Sequence, residues 1–133
     1  MKIGISRAAF DQILAHAAEN AAEEVCGLLL GSPDTIEMAL PAPNVAVDRK
    51  RMFELDPVIL LHTHRAARAG GPTVLGHYHS HPEGTAKPSL HDAAFAKTGQ
   101  LWLIVAKGRA ALFAARREGP IQGRFVAVDY ELR

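Results

Sequence analysis

The segment from His77 to Asp92 reads His-Tyr-His-Ser-His-Pro-Glu-Gly-Thr-Ala-Lys-Pro-Ser-Leu-His-Asp, with a histidine at every second position before a proline. The residues before it, Thr73-Val74-Leu75-Gly76, predict a strand that continues into the histidines. Side chains two residues apart on a strand point to the same face. His77, His79 and His81 would therefore share one side, and imidazoles grouped in this way indicate a metal site.

Only neighbouring histidines of this row can share one ion. His77 and His81 would lie about 13 Å apart along an extended strand, which is too far for a single metal. Pro82 lacks a backbone donor and tends to end the strand, so His79 and His81 would project from a strand end that ligands from a loop can reach. The sequence therefore favours the pair His79 and His81.

Asp92 is the candidate third ligand, because it would lie at the head of the next helix. Three protein ligands and one open position are typical of a catalytic zinc site. The alternative is that Ser89-x-x-Asp92 is a helix capping box, which is common and carries no chemistry. A carboxylate that binds zinc would not also be free to complete that box. The spacing after His-x-His-Pro favours the metal site.

Composition bounds the class of protein. The 133 residues, with 48% hydrophobic and 22% charged side chains, predict one compact domain over residues 1–133. A formal net charge of +1 gives no basic footprint for nucleic acid. Cys26 is the only cysteine, which excludes an intrachain disulfide and a cysteine-based zinc site. Apolar runs of strand length and the lack of a signal segment predict a cytoplasmic protein without a membrane partner.

The rest of the chain predicts interleaved helices and strands, and hence a mixed α/β sheet. Helices are expected after Ser6, from Pro57 to about Ala69, and from Ser89 to about Lys97. Strands are expected at residues 1–5, 25–30, 35–40, 73–79, 101–106, 110–115 and 124–128, with a further extended piece around 52–55. His62-Thr63-His64 falls within the second helix, where side chains two apart diverge by about 200° and cannot share an ion.

Several of these residues together carry a resemblance to a known family. His79-Ser80-His81-Pro82, followed after six residues by Ser89-Leu90-His91-Asp92, resembles the signature of the JAMM (MPN-plus) zinc metallopeptidases, and Glu24-Val25-Cys26-Gly27 matches its upstream glutamate. Residues 51–57 and 101–105 resemble less specific landmarks, so the similarity covers nearly the whole chain. His77 departs from the pattern, since family members often carry an aromatic residue there. The resemblance implies a short, stand-alone bacterial-type member with the JAB/MPN fold, a curved mixed sheet flanked by helices.

The resemblance also implies roles for the matching residues. His79, His81 and Asp92 would hold Zn²⁺, which lowers the pKa of a coordinated water towards ~7. Glu24 would act as general base and Ser89 would donate a hydrogen bond to the reacting water or the oxyanion. Glu83 is an alternative base by sequence proximity alone.

The implied activity is hydrolysis of a peptide or isopeptide bond after the C-terminal tail of a ubiquitin-like or sulfur-carrier protein. Two alternatives stay open: a non-catalytic MPN scaffold, and a RadC-like DNA-associated protein with a similar His-x-His…Ser-x-x-Asp pattern. Retention of the complete residue set argues against a scaffold, and the near-neutral charge and the glutamate register argue against RadC. A zinc deaminase would need a Pro-Cys-x-x-Cys that one cysteine cannot supply. The sequence does not indicate an oligomeric state.

Overall fold

The computed structural model describes residues 2–133, which form seven strands and three helices. The strands are β1 (Lys2–Ile5), β2 (Cys26–Ser32), β3 (Thr35–Ala42), β4 (Thr73–Ser80), β5 (Leu101–Ala106), β6 (Arg109–Gly119) and β7 (Gly123–Leu132). The helices are α1 (Arg7–Glu19), α2 (Pro57–Arg68) and α3 (Leu90–Phe95). The predicted α/β class with a curved, mixed sheet is thereby confirmed.

The strands close into a barrel in the order β1-β3-β2-β4-β5-β6-β7. β1 completes the ring, because it pairs in parallel with β3 on one side and with β7 on the other. β4 and β5 also run parallel, whereas the remaining neighbours are antiparallel. β4, which carries the histidine row, is therefore paired on both sides, with β2 and with β5.

Each helix begins at a residue that can satisfy its free backbone N–H groups. The Ser6 side chain accepts from the Ala9 N–H at the start of α1, and Asp56 accepts from the Val58 N–H ahead of α2. Pro57 takes the first helical position, where its missing N–H costs nothing. α1 packs on the barrel through Ala9 and Ile13, whereas α2 has no buried residue.

Two apolar clusters fill the molecule. The larger lies between α1 and the barrel, and its members include Ile3, Ile13, Leu29, Tyr78 and Leu103. The smaller surrounds Trp102 beneath α3. Successive residues of β4 alternate between the two sides, so Tyr78 points into the larger cluster while His77 and His79 pack against Trp102. The histidines of β4 therefore pack on the smaller apolar cluster.

Gly27 of the Glu-x-x-Gly pattern marks a close approach within the sheet. A Cβ at this position would overlap the ring of Tyr78 and the backbone oxygen of Leu40. A glycine is required here because Tyr78 crosses β2 on its way to the core.

Some predicted boundaries differ from the structure. α3 ends at Phe95 rather than near Lys97, and β7 extends from residue 123 to 132 rather than from 124 to 128. Residues 52–55 form no strand and contribute only an isolated bridge between Leu55 and Asn44. The long β7 could not be read from local pattern, because its second half pairs with β1 at the other end of the chain.

No helix within residues 2–133 has the length and apolar character needed to cross a bilayer.

Candidate metal centre

The centre lies where β4 ends. His79 is directly opposite Cys26 of β2 and beside Ile104 of β5, and it is fully buried. His81 follows the strand, with its backbone N–H donating to the Val105 carbonyl 2.8 Å away. This bond continues the ladder for one more residue and aims the His81 ring towards that of His79.

Three side chains converge on one point. The Nε2 atoms of His79 and His81 lie 3.0 Å apart. The Oδ2 atom of Asp92, in the first turn of α3, lies 3.3 Å from the Nε2 of His79 and 3.2 Å from that of His81. The structure thus brings together the three residues that the sequence proposed as metal ligands.

The hydrogen bond on the far side of His81 decides which nitrogen faces the centre. Its Nδ1 lies 2.8 Å from the Thr85 carbonyl oxygen, which only accepts, so Nδ1 carries the proton and donates it. Nε2 faces His79 and Asp92: in the protonated ring it donates to Asp92, and in the neutral ring it presents the lone pair that a metal would need. Such an outer hydrogen bond is the usual way in which a protein orients a histidine ligand.

Burial and proximity shape the charges of the three groups. Burial lowers the pKa of His79, an effect that its hydrogen bond to Asp92 only partly offsets. Burial also opposes ionisation of Asp92, but hydrogen bonds from the two histidines and from the Ser89 N–H leave the pKa of the carboxyl well below its usual range. Burial likewise acts to lower the pKa of His81, yet Asp92 and the Thr85 carbonyl raise it. The centre therefore combines a carboxylate with an imidazole that is held neutral.

Asp92 also completes the capping box of α3. Its Oδ2 accepts from the Ser89 N–H at 2.9 Å, and the Ser89 hydroxyl oxygen accepts from the Asp92 N–H at 3.0 Å. The capping box that the sequence offered as the alternative is therefore present, and the same carboxylate oxygen has a further lone pair that faces the histidines. The cap holds Oδ2 against the two histidines.

Glu24 lies immediately before β2 and is 6% exposed. Within residues 2–133 its Oε1 atom has no hydrogen-bond partner, and ligand atoms of Glu24, His79 and His81 all lie within 4.8 Å of one another. Burial raises the pKa of Glu24 to about 7, an effect reduced by His81 and reinforced by Asp92. A carboxyl that exchanges a proton near neutral pH is suited to general acid–base chemistry.

The remaining candidate residues have different surroundings. Ser89 is half-buried, and its hydroxyl accepts only at the cap, which leaves its proton free for donation. Glu83 is exposed, and among residues 2–133 the grouped ligand atoms include those of Glu24 and not Glu83. His62 and His64 lie on α2, as predicted, and both are exposed. Burial, with Glu24 nearby, raises the pKa of the Cys26 thiol to about 12, in keeping with a packing role.

An aromatic cover over the histidines was missed by the sequence reasoning. The Phe53 ring stacks on His79, with centroids 4.3 Å apart and planes inclined by 20°. His77 contacts Trp102 edge-on at 4.3 Å, and both rings lie near Phe53. The only available signal was the single aromatic in the segment 51–57, which says nothing about what the ring contacts. The cover shields one face of His79 from water.

The donor set fits Zn²⁺. Ligand atoms of a tetrahedral zinc site lie roughly 3.3–3.4 Å apart, given Zn–N distances of ~2.0–2.1 Å. The separations of 3.0 to 3.3 Å among the two Nε2 atoms and Oδ2 are close to that spacing. Two imidazoles and a carboxylate, with the glutamate oxygen unpartnered beside them, match the donors of a catalytic rather than a structural zinc site.

The chain was also compared with known proteins. Residues 6–118 match the family model Prok-JAB, described as prokaryotic homologs of the JAB domain. The chain belongs to this family. The matched range spans the positions of Glu24, His79, His81, Ser89 and Asp92.

Individual relatives of this Prok-JAB chain include named proteases. It is 38% identical over 110 residues to desampylase from Haloferax volcanii, an alignment that covers 77% of this chain and 79% of desampylase. It is 34% identical over 88 residues to a probable TtuB-protein conjugate cleaving protease from Thermus thermophilus, covering 66% of this chain and 59% of that protein. A JAB1/MPN domain protein from Archaeoglobus fulgidus superposes with a TM-score of 0.63 at 22% identity, covering 98% of each chain, which shows the shared fold.

Proposed function

We propose that this Prok-JAB chain is a zinc-dependent hydrolase that cleaves the peptide or isopeptide bond after the C-terminal tail of a ubiquitin-like or sulfur-carrier protein. The observation that carries the proposal is the triangle of His79, His81 and Asp92 beside the buried, unpartnered carboxyl of Glu24. A scaffold that had lost its chemistry would have no need to bury these polar groups together.

The substrate class is supported by the two named relatives. Desampylase and the TtuB-protein conjugate cleaving protease are, by their names, enzymes that act on protein conjugates. The first aligns with more than three quarters of both chains, so the similarity is not confined to the short motif. We extend their kind of substrate to this chain as part of the proposal.

His79, His81 and Asp92 would hold the metal. Bound Zn²⁺ would supply a Lewis acid that polarises the scissile carbonyl and makes water more acidic. His81 is kept in the required tautomer by the Thr85 carbonyl, and Asp92 is kept in place by the Ser89 N–H. The Phe53 cover and the burial of His79 keep competing water away from the His79 ring.

Glu24 would move the proton. Its carboxylate takes a proton from the attacking water, and the resulting carboxylic acid gives it to the leaving amine as the C–N bond breaks. A pKa near 7 suits both directions, since the carboxyl accepts and returns a proton at similar cost. The Ser89 hydroxyl, whose proton is not used by the cap, would donate to the oxyanion that develops on the carbonyl oxygen.

The wider setting is part of the same proposal. We place the protein in the cytoplasm as a single domain, with a protein substrate and with neither nucleic acid nor membrane as a partner. The formal net charge of +1 and the single cysteine support this setting.

Intact mass spectrometry tests the proposal. The protein is incubated with a sulfur-carrier protein that bears a C-terminal peptide extension, with and without a metal chelator and with zinc added back. The expected result is release of the whole extension with uptake of one water, abolished by chelator and restored by zinc. The proposal would be overturned if none of a panel of ubiquitin-like and sulfur-carrier fusions were cleaved, or if cleavage continued after complete removal of zinc. The His62→Ala, His64→Ala double variant is the matched control and should cleave normally.

A further inference from the structure

Asn44 lies in the loop between β3 and α2 and forms hydrogen bonds through both the nitrogen and the oxygen of its side-chain amide. Its Nδ2 donates to the backbone oxygen of Glu24 at 2.8 Å and to that of Met52 at 3.0 Å. Its Oδ1 accepts from the N–H groups of Ala46 at 3.0 Å and Glu54 at 3.1 Å. Two donors and two acceptor directions are all that an asparagine offers, so the group is fully satisfied.

The Asn44 bond is one of several that fix the main chain at Glu24. The Glu24 N–H donates to the Arg49 oxygen at 2.7 Å, while the Glu24 oxygen accepts from Asn44. The next residue, Val25, is held from the other side, since its N–H donates to the Ser80 hydroxyl and its oxygen accepts from the Ser80 N–H. Glu24 is thereby clamped between the 44–54 loop and the strand that carries His79.

The same side chain places the aromatic cover. Met52 and Glu54, which Asn44 binds through their backbones, flank Phe53, whose ring stacks on His79. The loop between β3 and α2 contains no regular strand; besides the Asn44 side-chain bonds, it is held by the bridge between Asn44 and Leu55 and by the bond from the Glu24 N–H to Arg49. One amide therefore fixes both the carboxyl segment and the ring over a proposed ligand.

We infer that Asn44 is a positioning residue that sets Glu24 and Phe53 in register with the histidine pair. The inference rests on the proposed function, in which Glu24 is the general base. Asn44 itself reaches the site only through the backbones of Glu24, Met52 and Glu54, so it touches neither the ligand atoms nor the carboxyl that moves the proton.

Asn44→Asp tests the donor group of the amide separately from its acceptor group. Aspartate has the same shape and keeps the acceptor for Ala46 and Glu54, but it has no N–H to donate. Its oxygen would instead face the backbone oxygens of Glu24 and Met52, which repels the segment that carries the base. Asn44→Ala removes all four bonds and serves as the second variant.

Asn20 provides the matched control. It is the only other asparagine, and its Oδ1 likewise accepts from two backbone N–H groups, those of Ala22 and Glu23, each at 3.2 Å. Among the described residues, its Nδ2 donates to the Glu23 side chain, at 3.4 Å, and to no backbone oxygen. Asn20→Asp makes the same chemical change four residues before Glu24, and Asn20 reaches the loop only indirectly, through Glu23 and its partly exposed ion pair with Arg49.

The experiment measures kcat and KM, zinc content, and backbone amide exchange by NMR for the wild type and these variants. Asn44→Asp should lower kcat by on the order of 10²-fold, the cost of displacing a reacting group by about 1 Å, with KM and zinc content nearly unchanged. Exchange should quicken at the Glu24 N–H, while the Val25 N–H, held by Ser80, should stay protected. Asn20→Asp should behave as the wild type.

Contrary results bear on separate claims. An active wild type with equally active Asn44→Asp would sink this inference and leave the proposed function standing. Equal losses in Asn20→Asp, or loss of zinc together with global loss of protection, would show a merely structural role. In the wild type alone, rapid exchange of the Asn44 side-chain amide protons would contradict the anchor, whether or not the variants fold. A wild type that hydrolyses nothing would remove the base and overturn both proposals.

Discussion

Ser89 has two separable roles at the residue scale. As the N-cap of α3 it accepts from the Asp92 N–H, and its own proton is free for the oxyanion. Ser89→Ala should lower the free energy of unfolding by roughly 0.5–2 kcal/mol through loss of the cap. It should also lower kcat by on the order of 10²–10³ if the hydroxyl donates in the transition state.

Ser6 is the control for Ser89, because it caps a helix outside the proposed site. Ser6 accepts from the Ala9 N–H at the start of α1, so Ser6→Ala should cost stability and leave turnover of the folded protein unchanged. Melting temperature and turnover, measured with both variants zinc-loaded, separate the effects. Unchanged turnover in folded, metallated Ser89→Ala would leave this serine a cap and nothing more.

His77 should make the metal-free protein sensitive to acid. Burial, with His79 beside it, lowers the pKa of His77 from 6.5 to about 3, and its Nδ1 has no hydrogen-bond partner in the part of the chain that the structure describes. Between these values the unfolded chain binds a proton that the folded chain rejects, so stability falls as pH drops from about 6.5 towards about 3. Denaturant unfolding of wild type and His77→Phe at pH 7 and pH 4.5 checks this. His77→Phe should lose less stability over that interval; an equal loss would show that His77 is not the group responsible.

The sequence motif predicted which side chains converge, but it did not predict which groups hold those side chains in place. His79, His81, Asp92 and Glu24 could be proposed from spacing and resemblance, and the structure places them within reach of one another. The Thr85 carbonyl that orients His81 could not be proposed, because any residue offers a carbonyl and only the path of the loop selects this one.

At the scale of elements, two His-x-His pairs differ only in the structure that carries them. His79 and His81 come from a strand and its end, whereas His62 and His64 lie on α2, where their directions diverge. His79→Ala should abolish zinc binding, and the His62→Ala, His64→Ala double variant should keep it. Metal analysis after dialysis decides, and equal loss of zinc from the double variant would show that the wrong pair was chosen.

Elements with strong local signals were predictable, and the loop between them was not. The Asp56-Pro57 start of α2 and the turn before β6 follow from cap and turn chemistry. Within residues 43–56 the sequence predicted an extended piece around 52–55, where the structure has only the bridge between Asn44 and Leu55. The position of Phe53 over His79 depends on the Asn44 amide bonds, which span up to twenty residues of sequence.

At the scale of the whole molecule, closure of the barrel could not be predicted from local sequence patterns. β1 pairs with β7 from Lys2 beside Asp129 to Ile5 beside Leu132, across nearly the full length of the chain. A pattern of alternating residues predicts a strand but does not name its partner. The resemblance predicted a curved sheet, and the structure shows that this sheet closes into a barrel in which β4 lies between β2 and β5.

The most direct test of the central claim is zinc content and hydrolysis of Glu24→Gln, measured on the same sample. Ligand atoms of Glu24 lie close enough to both histidines to bind a metal themselves, so base and ligand are competing roles for this residue. With His79, His81 and Asp92 as the ligands, Glu24→Gln should retain about one zinc per chain. It should release no extension from a sulfur-carrier fusion that the wild type cleaves. Loss of zinc would make Glu24 a ligand, and cleavage at the wild-type rate would show that it is not the base; either result contradicts the account.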